Sequence, residues 1–393
     1  MTPSSWAWLA AVPLVLASAS ACRTPDDLTT PRATVRPAPT AVPIDEPTPT
    51  PAATPGAGAV QTLGQAGMRS PLPLLGEYAV TANRDDRTLS VIPIGLAKAV
   101  ATVSLDVPPH GVATAPDSDT AVTISETPSL GLASLNSSTV LGSVDAASMP
   151  IQVVSPPAEG SGVVLVLSDG DRVQAVDTSA RTLGPLVQLD AGPHAVGFGR
   201  AGVPPVPRIY VANADAGSVS VLDAAATRVD RVLAVGGRPV GVAQTIDGRL
   251  WIADASAGAV VLVDAADGRR IDAIPLGPGV TGLSGLAATH DGHYLVLSSS
   301  AADHGLVSVD LLAVALGRTD AVVRSLAVDG GVLALATGAE TTRAYATTGR
   351  GSLLYWDLVS NSISETVAVG QGPVSLALGM VVPLGAAPPP ASA

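Results

Sequence analysis

The sequence predicts an all-β chain, seven four-stranded antiparallel blades arranged in a closed ring, and three observations carry that prediction. Short runs of Val, Ala, Leu and Ile separated by Gly, Pro and Asp fill the stretch from Glu77 to Met380, with no apolar stretch of 3.6-residue period long enough for a helix. A unit recurs along this stretch at steps of 41 to 47 residues. The two ends of the stretch hold complementary fragments of that unit.

The clearest copy is RIYVANADAGSVSVLDAAATRVDRVLAVGGRPVGVAQTIDG, residues 208–248, followed at once by RLWIADASAGAVVLVDAADGRRIDAIPLGPGV. Tyr210 to Asn213 matches Trp251 to Asp254, Ser218 to Asp223 matches Ala259 to Asp264, and Gly248 and Gly292 close the hairpin that follows. Phased on these anchors, the third run of each unit ends at Pro93, Asn136, Asp177, Asp223, Asp264, Asp310 and Asp357. A proline introduces the innermost run at Pro109, Pro150, Pro193, Pro239 and Pro373, and the two slots without it are expected near Ser284 and Arg324. Four short strands per unit at this period are the mark of a β-propeller, in which each blade covers its apolar faces only against its neighbours. These residues resemble the YVTN-type, lactonase-like seven-bladed propeller family, whose repeat is visible as PVGVAQTIDG, YVAN and SVSVLD. The resemblance covers about 300 residues and implies the fold; for activity it implies a lactonase-like site at the mouth of the central channel.

Ring closure is legible at the ends. The first unit, EYAVTANRDDRTLSVIPIGLAKAVATVSL, starts at the second strand of a repeat, and the last fragment, GPVSLALG at 372–379, is a lone first strand. Pairing the C-terminal strand with the N-terminal three hides both edges.

Ahead of the ring the composition changes twice. Trp6 to Ala19 is an apolar run of export-signal length, interrupted by Pro13. Ala19-Ser20-Ala21-Cys22 then sets small residues before the chain's one cysteine, and this resembles the lipobox of bacterial lipoproteins, in which that cysteine is lipidated. An ordinary A-x-A cleavage site of a freely secreted protein is the other reading. The expected organisation is a signal peptide over 1–21, lipidated Cys22 and a Pro/Thr-rich tether over 22–58, a lead-in over 59–76, the propeller over 77–380 and an Ala/Pro tail over 381–393. One cysteine excludes an intrachain disulfide.

Candidate site residues are few. His110 and His194 each follow the repeat's proline, so both enter the innermost strand at the channel mouth, two blades apart, where the equivalent slots hold Ile151, Val240 and Val374. Arg84, Asp85, Arg87, His304 and Arg350 fall on loops of the same face and could form a docking patch. His290 and His293 flank a turn at the opposite end. Asp177, Asp223, Asp264, Asp310 and Asp357 recur once per repeat, as turn formers do. The loops Asn213 to Gly217 and Asp254 to Gly258 lack the downstream Glu of a calcium loop. Tyr210, Trp251 and Tyr345 share one slot and read as blade packing.

Charge and missing motifs remove several function classes. A formal net charge of -12, with Lys98 the sole lysine, leaves no basic stripe for nucleic acid. There is no C-x-x-C-H, Walker loop or G-x-S-x-G elbow. No catalytic residue, cofactor or metal is assigned. The expectation is a monomeric, exported propeller on the outer face of a bacterial membrane, held there only by its lipid, and binding a protein or cell-wall ligand without catalysis. The alternative is a lactonase-like hydrolase or lyase at the channel mouth. Innermost runs such as GVATA, GVAQT and VSLAL predict an aliphatic plug in the channel.

Overall fold

A computed structural model of the chain describes residues 76–115, 119–156, 163–202, 204–318 and 322–381. The segments read as export signal, Cys22 and tether, nearly all of the lead-in and nearly all of the tail lie outside the described residues.

Seven four-stranded antiparallel sheets form a β-propeller. Six blades start with an innermost strand, at Gly111–Thr114, Pro150–Val154, Pro193–Ala201, Pro239–Gln244, Leu283–Ala288 and Val332–Thr337, and run outwards through three more. These are blades 2 to 7. Blade 1 takes its outer strands from Gly76–Asn83, Thr88–Pro93 and Ala101–Ser104, and its innermost strand from Pro373–Val381. That last strand pairs along the first one from Gly76 opposite Val381 to Asn83 opposite Pro373, which is the closure expected from the complementary ends. It leaves the ring without an open edge at the point where the chain begins and ends.

Of the two slots without a proline, the one near Ser284 lies where the sequence reading puts it and the one near Arg324 does not. The innermost strand of blade 7 starts at Val332, whereas Arg324 lies on the outermost strand of blade 6, Val323–Leu326. The displacement has a local cause. Blade 6 inserts a five-residue α-helix, Leu311–Ala315, between its third and fourth strands, capped by the Asp310 carboxylate accepting the Ala313 N–H at 2.9 Å. Neither slot has a proline to mark it. In blade 2 the third strand ends at Ser134, two residues before Asn136.

The core is divided among the seams. Seven clusters of buried side chains occur among the described residues; six are drawn from two neighbouring blades, the one between blades 5 and 6 also takes in Ala214 of blade 4, and the cluster of Ala79 and Ile92 with Tyr345, Leu353 and Tyr355 spans blades 1 and 7. Tyr210, Trp251 and Tyr345 are all buried on second strands, in agreement with their reading as packing, and Tyr78 is buried at the same place in blade 1. No blade buries its faces alone, so the ring folds as one cooperative object.

Local hydrogen bonding explains the repeat's polar marks. Asn213 donates to the hydroxyls of Ser218 at 3.0 Å and Ser220 at 2.9 Å, and Asn83 donates in the same way to Thr88 at 3.0 Å and Ser90 at 2.9 Å. The Asn ending the second strand thus ties down the start of the third from inside. The recurrent aspartates are turn formers. Asp177 accepts from the Ser179 and Ala180 N–H groups, Asp223 from Thr227 and Arg228, Asp264 from Ala266, and Asp357 from Ser360.

Candidate functional site

Six of the seven innermost strands begin with the same distortion, and it builds the mouth of the channel. Pairing skips one residue between Pro150 and Gln152, Pro193 and Ala195, Pro239 and Gly241, Leu283 and Gly285, and Val332 and Ala334. It skips Val374 in the closing strand, and in blade 2 ladder pairing starts just after His110. A bulge leaves its extra residue unpaired and re-aims the side chain. The seven slot residues are therefore His110, Ile151, His194, Val240, Ser284, Leu333 and Val374, one per blade. All except Val240 line a central cavity of about 720 Å³.

This cavity replaces the aliphatic plug read from the innermost runs. Its wall is aliphatic in large part, with Val153, Val196, Leu286, Leu335, Leu376 and Leu378, but Gln152, Ser155, Ser298, Thr337 and Ser375 also border it. Short apolar side chains on seven strands do not reach the axis, so the centre stays open. Several of the polar groups stitch neighbouring inner strands together. Thr114 Oγ1 donates to the Leu378 carbonyl at 2.8 Å, Thr337 Oγ1 to Ala288 at 2.9 Å, Ser155 Oγ to Thr114, and the Val112 N–H donates to Ser375 Oγ at 3.2 Å. Backbone edges that face the channel are satisfied across the seams in this way.

The two histidines predicted at the mouth both border this cavity, each in a different chemical state of engagement. His194 Nδ1 lies 3.0 Å from the Val240 carbonyl oxygen, which can only accept, so Nδ1 carries the proton and Nε2 keeps its lone pair. Burial pushes the His194 pKa below its ordinary value, and the hydrogen bond to Val240 offsets part of that fall. The ring is thus a neutral acceptor at pH 7. His110 Nε2 lies 3.2 Å from Glu126 Oε1 but out of line for a hydrogen bond, and the same oxygen receives Arg84 Nη2 at 3.3 Å. A second recess of about 330 Å³ opens beside it, lined by His110, Ser125, Glu126, Met149, Pro150 and Ile151. His110 and Ile151 border both spaces.

The other predicted loop residues share this upper face without joining one cluster. The Asp85 carboxylate packs against Gly372, whose backbone is left-handed with φ +61 degrees. Arg87 has a left-handed backbone, φ +54 degrees, in the turn that closes the first hairpin of blade 1. His304 Nδ1 is 2.7 Å from Ser325 Oγ, and Arg350 pairs with Asp329 at 2.6 Å, both partners well exposed. His290 and His293 sit at the lower end, where Asp291 accepts the His293 N–H at 3.0 Å. The loop after Asp254 is held from within. Asp254, 2% exposed, accepts from Arg270 at 2.6 Å, Ser256 Oγ at 2.6 Å and the Arg238 N–H at 3.0 Å. Burial alone pushes its pKa up, and these bonds bring it down to about 2.

Leu333 and Gln152 were not singled out by sequence reasoning, and Ser284 was named only as the place of a slot without its proline. Ser284 and Leu333 occupy the proline-less slots, so their signal was the bulge position itself, one residue into the strand. Gln152 Oε1 is enclosed with no hydrogen-bond partner. Among the described residues no three His, Cys, Asp or Glu side chains converge as a metal site.

No family model matches the chain, and no curated protein does. Solved structures do. Hydrazine synthase from Kuenenia stuttgartiensis superposes with a TM-score of 0.54 at 17% identity, covering 79% of this chain and 99% of that one. A functionally unknown protein from Desulfotomaculum acetoxidans gives a TM-score of 0.59 at 13% identity, covering 78% and 99%. At such identities the likeness extends to the fold, a seven-bladed β-propeller, and no further.

Proposed function

We propose that this propeller is a binding module, held on the outer face of a bacterial membrane through Cys22, that takes a cell-envelope or protein ligand at the upper mouth of its channel without turning it over. One observation carries the reading: the ring of slot residues presents hydrogen-bonding groups, from His110, His194 and Ser284, beside half-exposed Ile151 and Leu333 on a cavity of about 720 Å³. An apolar wall with a few convergent polar atoms is what a small ligand, or the tip of a larger one, binds. The lining holds no Arg, Lys, Asp or Glu, which favours an uncharged moiety. The resemblance of the SVSVLD and YVAN segments to the YVTN repeat supports the fold side of the reading, and their buried Asn network accounts for the motif structurally.

A second reading, a lactonase-like hydrolase, rests on His194. A neutral imidazole with Nδ1–H fixed and Nε2 unengaged is arranged as a general base arranges itself.

The test is thermal unfolding of the protein against a panel of wall fragments and lactones, with product analysis of each mixture. A ligand at 100 times its dissociation constant stabilises by about 2.7 kcal/mol, or roughly 5 °C in the midpoint. A shift with no product supports the binding module, product formation moves the assignment to the enzyme, and a flat panel overturns the channel mouth as a site for these ligands.

A further inference from the structure

The exposed aliphatic side chains of the ring are not evenly spread. Sixteen large apolar residues stand exposed among the described residues, and eleven of them lie at the lower end, away from the channel mouth, in the turns between third and fourth strands, in the turns between first and second strands, or in the strand residues next to these. Only Val107, Ile151 and Leu333 are exposed at the upper end, and the last two belong to the cavity. Isolated exposed leucines need no explanation, but a bias of this kind to one face does.

The four most exposed are Ile246 at 77%, Leu316 at 67%, Leu96 at 66% and Val359 at 59%. They come from blades 5, 6, 1 and 7, four consecutive blades of the ring, and form a lower arc. Blade 1, at one end of that arc, is also where the first strand enters at Gly76 and the closing strand leaves at Val381, both at the lower end. All of the chain that precedes the ring, with the apolar run Trp6 to Ala19 and Cys22, therefore joins it on this face. The polar side chains of the lower turns are largely engaged with one another. Arg249 pairs with Asp247 beside Ile246, Arg343 with Glu340, and Asp357 accepts from Ser360 beside Val359. Nothing there forms the basic patch that would seek anionic headgroups.

We infer that this lower arc rests on the bilayer surface, its aliphatic side chains seated among headgroups and upper acyl chains, so that the channel mouth faces away from the membrane. The inference rests on the anchor reading above and deepens it. A lipid on Cys22 anchors the chain without orienting the ring, and an interfacial contact holds the ring in one orientation. Because the contact is aliphatic, neutral phosphatidylcholine suffices as its partner.

The experiment uses the lipidated full chain in phosphatidylcholine vesicles containing brominated lipid. With Cys22 lipidated there is no other native thiol, so Ile246→Cys, Leu316→Cys and, as the upper control, Val107→Cys each take one environment-sensitive fluorophore. The expected result is a blue shift and loss of fluorescence at 246 and 316, with neither at 107. Protein that floats with the vesicles but shows no quenching at 246 or 316 overturns the arc and leaves the anchor standing. Equal quenching at all three positions also overturns it. Protein that does not float with the vesicles removes the anchor reading, and this inference with it.

Discussion

His194 Nδ1 lies 3.0 Å from the carbonyl oxygen of Val240, the residue that occupies the same bulge slot one blade further round the ring. One slot thus presents a ring edge to the channel while its neighbour supplies the acceptor that fixes that ring's tautomer. Val240 is fully buried in consequence and is the slot residue that does not border the cavity.

This arrangement sets a pH dependence. Burial lowers the His194 pKa in the folded chain from an ordinary 6.5, so the unfolded chain takes up the proton first as pH falls. The stability that depends on neutral His194 is whole above about 6.5, declines as pH drops towards the lowered folded value, and is fully lost once pH has passed below it. His194→Gln removes this part of the dependence. Urea unfolding at a series of pH values checks it: the wild type loses stability over that window faster than the variant does.

Asp254 gives a second, acid-side window. Its folded pKa of about 2 against an ordinary 3.8 means that its contribution is complete above 3.8 and disappears as pH falls through 2. Asp254→Ala leaves Arg270 and three N–H groups without their acceptor and costs about 3 kcal/mol at neutral pH. Chemical denaturation of the variant reads this directly. A cost below about 0.5 kcal/mol would mean that the ion pair with Arg270 behaves as an ordinary surface pair.

Close approach of neighbouring inner strands depends on glycine. A Cβ on Gly241 would stand 2.6 Å from Leu286 Cβ and 2.8 Å from Leu286 N, and one on Gly197 would strike the Val242 carbonyl oxygen. Gly241→Ala and Gly197→Ala each destabilise by about 1 to 3 kcal/mol. Gly95→Ala, which meets open space, is neutral. Melting midpoints of the three variants test the contrast.

Removing residues 372–393 takes away the closing strand and opens blade 1 between its first strand and the channel. Thermal unfolding of the truncated protein should fall by on the order of 10 °C or become uncooperative. An unchanged melting curve would show that the closure contributes nothing to holding the ring.

Much of the fold was legible because its marks are local. Asp177, Asp223 and Asp357 bond within their own turns, and Asn213 bonds within its own hairpin, so each writes the same letters wherever a blade repeats. Blade 7 was misplaced where the local marks stop: Leu283 and Val332 stand where the other slots have proline, and the helix at Leu311–Ala315 stretches the spacing. Of the candidate site, His110 and His194 could be placed at the mouth from their position after the proline. The open cavity could not, because it depends on how far seven inner strands stand from one axis. That distance is set between blades, by contacts such as Gly241 on Leu286, which have no sequence-local signature.

The most direct measurement of the central claim is the ligand-induced melting shift of the wild type, repeated with the same ligand on His194→Ala and on Leu333→Arg. A binding site at the ring of slot residues predicts that both variants keep their ligand-free midpoint within roughly 2 °C and lose the shift. A shift that survives undiminished in both variants would contradict the account and move the binding surface off the channel mouth.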